Sequence, residues 1–263
     1  MMKRIFFFAI SLIFLLPLSA FAQDLDITQQ ADSAYMADDF SRAVALYEQA
    51  LEEEGSSSVL WYNLGNAYYR LDRLGDAILC YHRALRLDPS NADARTNLRF
   101  VNSRIADRPS DNRSMIEMLT DRIVNAATPN AWAVTALVLF IVLIGAAALY
   151  IFASGVAVRK WSFFGGIILA VLVILTLFIA REAASRATSD SGAIIMEPAV
   201  QLSTSPRVPK DRSEEAFRLH EGTMVEVLDS VATPADTLNP LWYEVIVDGT
   251  HRAWLPARSV RRI

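Results

Sequence analysis

Cysteine is almost missing. Of 263 residues only Cys80 carries a thiol, so no intrachain disulfide and no cysteine metal cluster can form. No cysteine lies near the end of the amino-terminal apolar stretch either, which speaks against a lipid anchor there. The sequence has three histidines. His220 and His251 fall in strand or turn contexts without ligand partners at metal spacing, and His82 stands beside Cys80 in an apolar helical pattern, where the thiol reads as half-buried filler. There is no Gly-rich phosphate loop with Lys, no G-x-S-x-G, no H-E-x-x-H and no C-x-x-C. These absences argue against an enzyme, and no catalytic, cofactor or metal site is expected. Basic surplus is lacking too: the net charge is −4, so nucleic acid is not an expected partner.

The most informative absence is local. Ala131 to Phe152 and Trp161 to Ala180 contain no Asp, Glu, Lys, Arg or His, and each is about 20 residues long, the length a helix needs to cross roughly 30 Å of hydrocarbon. They read as a membrane hairpin. The segment between them, Ala153 to Lys160, carries Arg159 and Lys160, which are expected to keep it in the cytoplasm and both flanks on the other side. Trp132, Tyr150 and Trp161 suit the interfacial belts, and Gly145 to Ala148 with Gly165, Gly166 and Ala170 suit close helix packing. Without Asp, Glu, Lys, Arg or His at membrane depth, a pump, transporter or proton relay is not expected.

The amino terminus adds a third apolar run. Lys3 and Arg4, Ile5 to Leu16, Pro17 and Ala20-Phe21-Ala22 read as a secretory signal peptide, 1–22, with cleavage expected after Ala22. An uncleaved anchor would leave the orientation of the next domain unchanged. Loss of Lys3 and Arg4 leaves 23 basic against 29 acidic residues.

An internal repeat comes next, with a period of about 34 residues. Its clearest copy, 58–91, has Trp61, Leu64, Gly65 and Tyr68, then Ala77, Tyr81, Ala84 and Pro89. Small residues at Gly65 and Ala77 let two antiparallel helices cross closely, while Trp61, Tyr68 and Tyr81 fill the space around them. Ala31, Ala43, Tyr47 and Ala50 mark a degenerate first copy, 24–57, and Asn91 to Ile105 reads as a capping helix. Region 23–107 thereby resembles tetratricopeptide repeat proteins. That resemblance implies a concave groove for peptides or proteins, lined by Asp32, Tyr35, Asn63, Asn66, Tyr69, Arg70, Asn97 and Arg104. Where the family's carboxylate clamp has Lys and Asn, this chain has Thr28 and Asp32, so a terminal carboxylate would be repelled. With only two copies and a cap, the array is expected to lean on a partner, a second copy or the membrane.

Arg108 to Arg113 is a linker. Ser114 to Glu117 forms a capping box for a juxtamembrane helix, 114–127, whose apolar stripe is Ile116, Leu119, Ile123 and Ala126. Resting on the membrane surface and packing against protein both remain open for it. Beyond the hairpin, Arg181 to Gly192 reads as a polar linker. Alternating segments then appear at Ala199 to Leu202, Met224 to Leu228 and Tyr243 to Val247, with a hairpin turn at Asp248-Gly249. About five such strands suggest a small closed all-β barrel. Val200, Phe217 to Thr223, Trp242-Tyr243, Asp248-Gly249 and Ala253-Trp254-Leu255-Pro256 resemble the bacterial SH3 family over 193–263, with Ala253 where Gly is usual. Members of that family bind cell-wall peptides or proteins.

Taken together, a multidomain membrane protein is expected: an all-α tetratricopeptide array, a two-helix transmembrane hairpin and a C-terminal SH3-like barrel. The combination resembles proteins of the bacterial aerotolerance (Bat) operons. That resemblance implies a scaffold working with membrane proteins that carry von Willebrand A domains and with a MoxR-type ATPase. Together with the charge of the 153–160 loop, an inner-membrane scaffold with both soluble domains periplasmic is expected. The alternative is a peptidoglycan-binding or sensing module acting through the SH3-like domain.

Overall fold

The computed structural model describes residues 26–107, 114–234, 236–247 and 251–263. The expected signal peptide, the linker 108–113 and the Asp248-Gly249 turn lie outside them. Five helices form the first layer: α1 (Ile27–Met36), α2 (Phe40–Glu53), α3 (Ser58–Arg70), α4 (Leu74–Leu87) and α5 (Ala92–Asn102). Their start signals are local. Asp39, Ser57 and Asn91 each accept the backbone N–H three residues on, which satisfies a donor the helix leaves open. Asp38 and Asp72, one repeat apart, turn the chain at φ of 59° and 60°, a conformation Asp tolerates better than most residues. Ala31, Ala43, Tyr47, Leu64, Ala77 and Tyr81 are buried at the helix crossings.

A fixed tie links α6 (Met115–Val124) to the long helices. The Ser114 and Glu117 capping box is formed, the Trp132 indole donates to the Val124 carbonyl at 3.1 Å, and Asp121 accepts from Arg186 at 2.6 Å. The helices α7 (Pro129–Phe152) and α8 (Val156–Thr188) are both long and apolar enough to cross a membrane, and they pack as an antiparallel pair. Two boundaries differ from the sequence expectation. The connection shrinks to 153–155, since α8 already includes Arg159 and Lys160. At its other end α8 runs on to Thr188, through residues expected to be linker, because Arg181 to Thr188 contain no helix breaker and Glu182 pairs with Arg186 at 2.9 Å.

Seven strands complete the chain: β1 (Gly192–Ile195), β2 (Ala199–Ser203), β3 (Glu215–His220), β4 (Met224–Ala232), β5 (Leu241–Val247), β6 (His251–Pro256) and, after a 3-10 turn at Ala257–Ser259, β7 (Val260–Arg262). The sheet is antiparallel in the order β3-β2-β6-β5-β4-β1-β7. It is open, which corrects the expected closed barrel. The outer edge of β7 is taken by α4 instead of by β3: Arg83 donates to the Arg262 carbonyl at 2.8 Å and Arg86 to that of Ile263 at 2.6 Å. A helix covering an edge strand satisfies the carbonyls that closure would otherwise pair.

The sheet and the helical array share a core. In β1 the side chains alternate, so Ala193 and Ile195 face the sheet interior while Ile194 packs into the cluster of the array, joined by Met196 and Ile263. The short array therefore leans on the C-terminal sheet.

Candidate functional site: the concave face of the helical array

The first helix of each pair presents its exposed side inward. Along α1, α3 and α5 a polar ladder repeats with the chain. The Tyr47 hydroxyl donates to Asp32, and the Tyr81 hydroxyl donates to Asn66 at 2.7 Å. Asn63 donates to Asp32 at 3.4 Å, and Asn97 to Asn66 at 2.9 Å. Each acceptor thus receives one bond from the second helix of its own pair and one from the first helix of the next. Burial first, and the Asp32 carboxylate second, push the Tyr47 phenol far above its usual pKa, so this hydroxyl stays a donor.

Outside the ladder the surface is aromatic and cationic. Arg70 stacks on Phe40, 4.1 Å from the ring centre, and meets Asp38 at 3.2 Å. Arg104 bonds the Tyr69 hydroxyl and lies over the Tyr69 and Phe100 rings. Two hollows of about 250 and 310 Å3 open here and join through Tyr35 and Asn66. Asp32, Tyr35, Asn63, Asn66, Tyr69, Arg70 and Asn97 all line them, and Arg104 closes the far end against Tyr69. The structure brings the eight expected groove residues to one face.

Two features went unseen in the sequence. The ladder makes Asn66 and Asp32 structural acceptors as well as surface groups, and Tyr47 and Tyr81, read as packing residues, also reach the groove. Their shared spacing of one repeat was the available signal. The second is the dock between array and sheet, built by the turn after β3. Asp107 accepts the His220 backbone N–H at 2.6 Å and the Thr223 hydroxyl at 2.9 Å, with the His220 ring at 3.1 Å. Burial alone would raise the Asp107 pKa, but these bonds outweigh it and hold the carboxyl below its usual value. Glu221 accepts the Gly75 N–H at 2.9 Å; α4 has no side-chain cap of its own, so the sheet supplies it. Gly222, at φ +86°, has its α-carbon so close to Ile78 and Ile105 that a Cβ would come within 2.8 Å of both. Arg261 reaches the buried Asp76 at 3.1 Å.

Cys80 is 2% exposed, more deeply placed than the half-buried filler expected, and burial pushes its thiol far up in pKa. His82 sits at the junction of α4, the end of α8 and the sheet, beside Arg86, Met224 and Ile263, where desolvation lowers its pKa to about 4.

The tetratricopeptide repeat family profile matches residues 58–91. A tetratricopeptide repeat is present. The peroxisomal targeting signal receptor of Saccharomyces cerevisiae is 39% identical over 64 residues, which is 24% of this chain and 10% of that receptor. Its counterpart in Candida glabrata is 38% identical over 64 residues, 24% of this chain and 11% of that protein. Protein SGT1 homolog of Oryza sativa subsp. japonica is 32% identical over 65 residues, 25% of this chain and 18% of the relative. The chain spans between a tenth and a fifth of the length of these curated relatives.

Proposed function

We propose that this protein is a membrane-anchored scaffold that holds a peptide-like segment of another protein on the concave face of its repeats. The observation that carries the reading is the gathering of eight dispersed residues on one open face while the sheet and α8 cover the opposite side of α4. A relative named as a receptor for a targeting signal makes an extended segment the natural ligand class, and arginines stacked on rings favour segments with carboxylate side chains over a free carboxyl terminus beside Asp32.

In this reading α7 and α8 cross the membrane, and the array and sheet stand together in the periplasm of a bacterial inner membrane. The contact between the two modules supports their sharing a compartment. The sheet, with its Phe217 to Thr223 and Ala253 to Pro256 segments, is a bacterial SH3-like domain with an open ladder. The partners implied are those of the aerotolerance-operon (BatE-like) assembly, namely von Willebrand A-domain membrane proteins and a MoxR-type ATPase.

The test is a crosslinking pull-down from solubilised membranes with wild type and Arg70→Ala/Arg104→Ala. Both arginines are exposed, so stability is expected to shift by only about 0.5 kcal/mol or less, while captured membrane proteins fall away. Unchanged capture by a folded variant would remove the groove from the mechanism. Retention on purified cell wall instead would favour the second reading, peptidoglycan recognition by the SH3-like domain.

A further inference from the structure

At the tip of the hairpin the last turn of α7 meets the first turns of α8 around a cavity of about 320 Å3, lined by Tyr150, Val156, Arg159, Lys160, Phe163 and Phe164. The α8 residues occupy positions i, i+3, i+4, i+7 and i+8, one face of the helix. Arg159 lies 5.6 Å from the centre of the Tyr150 ring, which in turn stands 5.7 Å from Phe163. Among the described residues neither Arg159 nor Lys160 has a carboxylate partner. Trp161, 80% exposed, marks the same level.

We infer that this cavity binds the headgroup of an anionic phospholipid from the leaflet around the hairpin tip. The inference rests on the reading that α7 and α8 cross the bilayer. Its argument is the order of chemistry along the axis. The two cations sit about one helical turn, roughly 5–6 Å, nearer the tip than Phe163 and Phe164, so a phosphate held by Arg159 and Lys160 places its glycerol and upper acyl carbons against the aromatic rings. Retention of the loop in the cytoplasm needs positive charge in no particular geometry. Here one guanidinium lies over a ring that lines the same cavity, which restricts where that charge can sit. Two unpaired cations with no acid among the lining residues favour a headgroup of net negative charge over a zwitterionic one.

The test is native mass spectrometry of the full-length protein in micelles doped with equal amounts of phosphatidylglycerol and phosphatidylcholine. Wild type is expected to retain phosphatidylglycerol selectively, and Arg159→Gln/Lys160→Gln to lose that preference by about fivefold per cation. Tyr150→Leu keeps both charges, and therefore the orientation, and is expected to weaken retention as well. Equal retention of both lipids by wild type, or undiminished preference in the double variant, overturns the proposal. Displacement by soluble glycerol phosphate also overturns it, because the site would then be a phosphate site rather than a lipid site. An alkaline wash of native membranes is run alongside: release of the protein there would defeat the membrane-crossing reading itself, which lipid selectivity alone does not test.

Discussion

Gly65 shows how much one missing side chain can decide. A Cβ there would stand 2.8 Å from the Tyr81 ring and 3.2 Å from Cys80 Cβ, so any larger residue must separate α3 from α4. Overpacking of this kind costs about 1–3 kcal/mol. Gly65→Leu is expected to lower the thermal midpoint of the full-length protein in a circular dichroism melt, and an unchanged midpoint would mean the two helices do not cross there. Asn66, one position on, is less simple than its surface position suggests. Replacing it with Ala strands the hydroxyl of Tyr81, itself 1% exposed, which is why the groove variants are placed at Arg70 and Arg104. Asp107 gives a pH signature. Its carboxyl is held below the ordinary value in the folded state, so it contributes stability that is complete above the unfolded pKa of about 3.9 and lost as pH falls through the lower, folded value. His82 acts in the same direction at milder acidity: with its pKa lowered to about 4, its contribution is complete above about 6.5 and is lost as pH falls toward 4. Melting temperatures are therefore expected to drop on acidification, and His82→Gln to flatten the milder limb. An unchanged mild limb in that variant would assign the drop to other groups.

Among the elements, α6 is the one whose surroundings its own residues could not foretell. Its capping box and apolar stripe are legible in the sequence, but whether protein or lipid covers the stripe depends on neighbours far along the chain. The structure turns Asp121 and Val124 toward α8 and α7 and leaves Ile116 at 78%, Leu119 at 57% and Met115 at 81% exposed. An amphipathic helix with its apolar face uncovered beside two long apolar helices is suited to the headgroup boundary. Because Cys80 is buried, a thiol introduced at Leu119 can be labelled selectively. A polarity-sensitive dye at Leu119→Cys is expected to shift to the blue on reconstitution from detergent into vesicles relative to the same dye at Glu117→Cys, and equal spectra at both positions would place α6 away from lipid. The repeats were legible for the opposite reason: Trp61, Leu64, Gly65, Tyr68 and Tyr81 carry their packing instructions locally. The open sheet was not, since nothing in β3 or β7 announces that Arg83 and Arg86, more than a hundred residues earlier, occupy the closing edge.

Across the whole molecule, the dock between array and sheet ties together parts that a linear reading treats as separate domains. Periplasm-active reporter fusions after Pro109 and after Ile263 are expected to be active together, and Arg159→Glu/Lys160→Glu to weaken that orientation. Activity at one site alone would be incompatible with Glu221 capping α4.

The long reach of that cap sets an order of events during synthesis. The array is made first, yet the N-terminus of α4 and the outer surfaces of Ile78 and Ile105 wait for Glu221, Gly222 and Ile194, all of which come after the hairpin in the chain. Contacts so distant in sequence form late, after a large loop has closed. Until the last strands emerge, the repeats remain an unfinished module with an exposed seam, the kind of surface that chaperones and proteases survey. Completion of the array is thereby conditional on the last strands of the chain, and on the proposed membrane-crossing reading it would also wait for the hairpin to insert.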